Sequence, residues 1–224
     1  MPDNNQNVLL KVSASQEEGY CKKVAGAISW RLRESGFCRL RAIKAEAINS
    51  AIKALAIVNG RLSKEQDKKI VFCFDPLFEN IKDVSGKSSL AISMKITEVF
   101  DDESPPKEFA EYKVSSKQDD DHENKLAGAI AAPVREGKGV RMRCIGKLSI
   151  YKCIYSCVLA KGYLYSYGLG TVMVPSWHTI QSDKSETGHI SALQIDFWGI
   201  PLIDDDDDNV EEMQTASDGR VPDG

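Results

Sequence analysis

The sequence predicts an α+β protein in which one β-α-β-α-β-β unit is written twice. Three observations predict it: a long self-match at a fixed offset, hydrophobic patterns that switch between helical and strand period, and glycines or prolines at the switches. KVAGAI at residues 23–28 returns as KLAGAI at 125–130, 102 residues downstream. Without a gap, residues 11–62 fall on 113–164 with 18 of 52 pairs identical, among them Lys11-Val12-Ser13 on Lys113-Val114-Ser115 and Arg39, Arg41 and Ile43 on Arg141, Arg143 and Ile145. A fixed offset over such a stretch is an internal duplication. Two copies imply two similar domains or two halves of one pseudo-symmetric body.

Each element of the first copy reads directly. Val8–Ser13 is rich in strand formers. Between Gly19 and Ser35, Val24, Ala27, Ile28 and Leu32 recur at helical spacing, and Gly36 stops the helix. Phe37–Lys44 alternates, with Cys38, Leu40 and Ala42 on one face and Arg39 and Arg41 on the other. Ala47, Ile48, Ala51, Ile52 and Leu55 make a second helical stripe, expected to end at Gly60. Strands are expected over Ile70–Phe74 and Leu90–Ile96.

The second copy follows suit, with Val172–Pro175 in the place of the strand before Pro76. Its first helix contains Pro133 where the first copy has Arg31, which predicts a kink or early break. Ala-Gly-Ala in the first helix of both copies gives that helix a thin face. Glycine costs about 1 kcal/mol in a helix interior, so its repetition predicts a close approach to the sheet or the sister helix.

The boundaries that follow are a disordered N-terminus at 1–7, a first repeat at 8–97, an acidic linker at 98–110, a second repeat at 111–203 and a disordered acidic tail at 204–224. The chain's net charge of −4 conceals an uneven distribution. The first repeat carries +7, the second +2 and the linker −4, while the tail has nine acidic side chains, five of them in the run Asp204–Asp208. A mildly basic body with an acidic tail is compatible with a polyanionic partner.

Other chemistry is not indicated. No apolar run approaches the ~20 residues of a membrane span, and the N-terminus lacks a secretory pattern. Cys21, Cys38, Cys73, Cys144, Cys153 and Cys157 form no CxxC pair and read as reduced core residues, which points to an intracellular protein, cytoplasmic with nucleus or cilium also open. There is no P-loop, dinucleotide fingerprint or nucleophile elbow, and His122, His178 and His189 are scattered. The expectation is a non-enzyme without metal or cofactor. Tyr151, Tyr155, Tyr163, Tyr165 and Tyr167 have no counterpart in the first copy; they read as packing, or as a stacking platform or protein interface.

The stretch KVSAS…KVAGAISWRLRESGFCRLRAIKAEAINSAIKALAIVNG resembles the bacterial stage V sporulation protein S family, relatives of the Alba family of nucleic-acid-binding proteins. The second copy matches through KVSSK, LAGAI, RCIGK and VMVP. The resemblance implies Alba-like repeats that pair, here as a covalent pseudo-dimer. It also implies a nucleic-acid path over the loop after the first strand, the start of the first helix and the last hairpin. The family's lysine in that loop is matched by Lys117, while the first copy has Ser15 with Lys22 and Lys23 nearby. Both copies fill the loop with acid, and the glycines at the second helix start are partly replaced, by Lys44-Ala45-Glu46 and Gly146-Lys147-Leu148.

Two functions follow as expectations. The first is non-catalytic binding of RNA, or of DNA without sequence reading, through Lys22, Lys23, Arg39, Arg41, Lys44 and Lys53 and, in the second copy, Lys117, Lys125, Arg141, Arg143, Lys147 and Lys152. The second is a structural scaffold or adaptor subunit of a large assembly, a ribonucleoprotein or a cytoskeletal structure such as a ciliary axoneme, that has lost nucleic-acid binding.

Overall fold

A computed structural model of the chain describes residues 9–15, 17–65, 71–82, 86, 88–100, 103–116, 121–181, 183, 185 and 187–202. The expectations for residues 1–7 and for the acidic tail lie outside them. The first unit runs β1 (Leu10–Val12), α1 (Tyr20–Ser35), β2 (Phe37–Ile43), α2 (Lys44–Glu65), β3 (Phe72–Lys82) and β4 (Ser88–Glu98). The second runs β5 (Phe109–Val114), α3 (His122–Arg135), β6 (Gly139–Cys144), α4 (Lys147–Tyr165), β7 (Leu169–Gln181) and β8 (His189–Pro201). The twofold β-α-β-α-β-β reading therefore holds element for element.

Each unit builds one four-stranded sheet, ordered β1-β2-β4-β3 and β5-β6-β8-β7. The first two strands of each sheet are parallel and the other neighbours antiparallel. Strand alternation sends Cys38, Leu40 and Ala42 inward, and their counterparts Val140, Met142 and Cys144 do the same. With Ile48, Ile52 and Leu55 of α2 and Ile150, Ile154 and Cys157 of α4 they form one hydrophobic cluster that spans both units. The halves thus form a pseudo-dimer with a common core.

The seam between the halves has matched polar contacts. The Asn59 amide on α2 donates to the carbonyl of Phe72 at 2.9 Å and to that of Pro175, across the seam, at 3.1 Å. Its counterpart on α4, Lys161, reaches the other way to the Asp75 carboxylate. Lys147, at the start of α4, pairs with Glu46 in the first turn of α2 at 2.7 Å, and the rings of Phe78 and Tyr155 meet 4.6 Å apart. The join contributes too, because the Trp198 indole donates to the Glu103 carbonyl at 2.9 Å.

Three local expectations change and one holds. α2 does not stop at Gly60 but continues to Glu65, and α4 likewise passes through Gly162, because neither glycine takes a left-handed conformation there. β3 begins later than expected and runs through Pro76 to Lys82; Pro76 is tolerated because β3 is a sheet edge, as β7 is for Pro175. Pro133 does shorten its helix: α3 ends at Arg135, two residues before the position equivalent to the end of α1. The close approach expected at the helix glycines is absent. Gly26 and Gly128 are exposed, and a Cβ at either would meet nothing within 4 Å, whereas the flanking Ala25 and Ala127 supply the buried contact.

Candidate nucleic-acid interface

The sheet face turned away from the helices brings several predicted residues together. Along β2, period-two alternation presents Arg39, Arg41 and Ile43 outward. Strand pairing then sets cations beside cations. Lys11 on β1 lies across from Arg41, and Lys95 on β4 lies across from Arg39. Like charges directly opposite each other destabilise a sheet; the acid nearest the Arg39–Lys95 row is Asp75 on β3, across from Lys95, and Lys161 of the second repeat engages it.

Arg41 has an acid of its own. Its Nε donates to Glu79 Oε2 at 2.8 Å and Nη2 reaches Oε1, with the Ser93 hydroxyl donating to the same carboxylate. The Ser93 hydrogen bond, then Arg41, hold the Glu79 carboxyl below its ordinary range, against the opposing effect of burial. Lys11, Arg39 and Lys95 are exposed and form no ion pair among the described residues. A shallow depression of about 560 Å3 is lined by Arg39, Arg41 and Lys95 together with the carboxylates of Asp75 and Glu79.

The second repeat neutralises the arginines of the equivalent face, although Lys113, the counterpart of Lys11, stays exposed across from Arg143. Asp196 stands where the first repeat has Lys95, and Arg141 clasps it bidentately, Nε to Oδ1 at 2.9 Å and Nη2 to Oδ2 at 2.9 Å. That bond raises the guanidinium pKa further. Arg143 pairs with Glu111 at 3.1 Å. The Phe109 ring packs onto Gly139, where a Cβ would fall 2.4 Å from a ring carbon, and the Arg141 guanidinium sits 4.6 Å from the ring centroid. Each arginine here has its acid.

The remaining predicted cations are dispersed. Lys22 and Lys23 are exposed near the start of α1, and Lys23 pairs with Glu17 from the acidic loop. Lys125 is exposed at the equivalent place on α3. Lys44 is exposed at the β2–α2 junction, and there it takes a left-handed conformation with φ of 68°. Lys53 is half-buried on α2, and Lys147 is engaged by Glu46. Lys152 is only 7% exposed, which removes it from any surface a phosphate could reach. Lys117 lies outside the described residues.

The reading of the sequence passed over Lys11 and Lys95. Both occupy outward positions of alternating strands, a signal present in Leu10-Lys11-Val12 and Met94-Lys95-Ile96. What the sequence lacked was the strand order that places β4 beside β2. The other candidates resolve simply. Five cysteines are buried and Cys21 partly so, all unpaired; burial pushes the Cys38 thiol up to about 11, an unreactive state. Tyr151 and Tyr155 pack, with Tyr155 on Phe78, while Tyr163, Tyr165 and Tyr167 are exposed. No helix among the described residues is long and apolar enough to cross a membrane.

In the comparison with known families, the model of stage V sporulation protein S matches residues 8–99 and again residues 110–195.

Proposed function

The chain belongs to the stage V sporulation protein S family, carrying its domain twice, and from that premise we propose that it is a non-catalytic, sequence-independent nucleic-acid-binding protein that works through one face. That face is the open sheet surface of the first repeat, with Lys11, Arg39 and Lys95 on phosphates and Arg41 able to join them by leaving Glu79. The observation that carries the reading is that Lys11, Arg39 and Lys95 stand exposed on one face without an ion pair among the described residues, with Arg39 and Lys95 directly opposite each other, a charge that a polyanion would neutralise. No large aromatic ring among the described residues is prominently exposed beside those cations, so the protein meets the nucleic-acid backbone rather than stacked bases.

The test is anisotropy of labelled single-stranded RNA and duplex DNA titrated with the full chain at low and moderate salt. Arg39→Ala and Lys95→Ala should each weaken binding and flatten the salt dependence by roughly 0.7–0.9 in log–log slope for every phosphate no longer neutralised. Arg141→Ala should do neither. No binding at low salt would end this reading.

One observation favours the scaffold reading in the second repeat. Its sheet arginines are internally neutralised, while Tyr163, Tyr165 and Tyr167 stand exposed around the end of α4. An assembly subunit would stay in its complex at fixed stoichiometry after nuclease digestion. A nucleic-acid binder would be released.

A further inference from the structure

We infer that the aspartate run Asp204–Asp208 docks on the open face of the first repeat, in cis, and competes there with the polyanion. The inference rests on the reading of that face as a polyanion site and adds its regulation.

Charge complementarity selects the surface. Lys11, Arg39 and Lys95 form no ion pair among the described residues, the Asp75 across from Lys95 being engaged by Lys161, whereas Arg141 and Arg143 on the equivalent surface of the second repeat are taken by Asp196 and Glu111. An internal polyanion therefore gains more on the first repeat than on the second.

Position makes the contact local. β8 ends at Pro201, three residues past Trp198. Trp198 belongs to a small apolar cluster with Cys73 of β3, flanked by Val99, Phe109 and Ile200, so the last residues of β8 lie beside the edge of the first sheet. Cys73 is two residues from Asp75, which pairs across to Lys95 and so to Arg39. Two strand spacings and one two-residue step make about 12 Å from Cys73 to Arg39. Asp208 lies six residues past Leu202, about 20 Å of extended chain, a length that brings the run toward the Arg39–Lys95 row. The aspartates repeat charge without shape, as a phosphate backbone does, which suits a face that meets backbone only.

The test compares the full chain with a variant carrying Asp204→Asn, Asp205→Asn, Asp206→Asn, Asp207→Asn and Asp208→Asn, changes outside the described body. Amide NMR without nucleic acid should show shifts between the two at Lys11, Arg39 and Lys95, absent at Arg141 and Arg143 and abolished at high salt. Shifts elsewhere, or none, overturn the docking. Labelled single-stranded RNA should bind the variant about three- to tenfold more tightly at low salt, since a site occupied part of the time loses affinity by its free fraction. Equal affinity for both chains overturns the competition while leaving the RNA reading intact. Shifts on the open face with no RNA binding by either chain keep the docking and remove the polyanion reading.

Discussion

Lys95 lies directly across the sheet from Arg39, at the place where the second repeat sets Asp196 across from Arg141. One position thus decides whether the central arginine of each sheet is left to solvent or clasped. Lys95→Asp should rebuild the clasp in the first repeat. It turns the like-charged pair with Arg39 into an opposite one but sets the new carboxylate across from Asp75, two cross-strand changes of roughly 0.2–1 kcal/mol each and of opposite sign, so urea melts should show little net change. RNA binding should fall in the same variant. A variant that binds as before would show that the open face is not where RNA lies.

Pro133 has no N–H to give the carbonyl of Ala129, four residues earlier, and the Tyr112 hydroxyl donates to that carbonyl instead at 3.3 Å. A strand residue thereby serves a helix that its own proline has weakened. Tyr112→Phe should cost about 1 kcal/mol. In a Pro133→Ala background, where the helix supplies its own donor, the cost should shrink. Equal losses in both backgrounds, measured by a double-mutant cycle, would separate the hydroxyl from the proline.

Gly26→Ala and Gly128→Ala should each stabilise the chain by up to about 1 kcal/mol, since a Cβ at either site enters open space. Thermal or chemical denaturation reads this directly. A loss would mean that something outside the chain's own contacts crowds these helix faces.

Lys44 and Gly146 hold equivalent places at the strand-to-helix junctions, with φ of 68° and 86°. The left-handed region costs a residue with a Cβ about 1–2 kcal/mol. Lys44→Gly should therefore leave stability unchanged or raised, the relief being partly offset by the greater freedom of glycine in the unfolded chain. Gly146→Ala, at ψ of 163°, should lose about 1–3 kcal/mol. Matching effects of opposite sense would confirm that lysine is retained at 44 at a cost to the fold.

Glu46 is held below the ordinary glutamate value of 4.5, first by its hydrogen bond with Lys147. A carboxyl with a lowered folded pKa stabilises fully above its unfolded value and loses that contribution as pH falls through the lowered one. Glu79 has the same sense within the first repeat. Stability should therefore fall as pH drops below 4.5, and Glu46→Gln should flatten that limb, as followed by urea midpoints against pH. An unaltered limb would leave the ion pair across the seam without weight.

The sequence announced the fold because a two-layer α+β unit is encoded locally. Val24, Ile28 and Leu32 give a helix its buried stripe, and Cys38, Leu40 and Ala42 give a strand its buried face, with no knowledge of the partner. The duplication doubled each signal. Helix ends were less legible at Gly60, where the main chain stays helical and the glycine merely lacks a side chain. The candidate site was half legible for a different reason. Arg39 and Arg41 could be placed on one face from their own strand, but Lys11 and Lys95 join them only through pairing, a long-range property. Lys152 failed in the opposite direction. Its charge suggested surface, yet it sits in a buried stretch of α4 between Tyr151 and Cys153.

A homodimer of single domains would be obliged to carry the Arg39 environment on both halves, because one stretch of coding sequence would write both. Joining the halves in one chain removes that constraint. The pair Lys95 and Asp196 records the outcome: two surfaces that began alike now inherit separately, so one is free to be tuned for an outside ligand while the other settles into its own ion pairs.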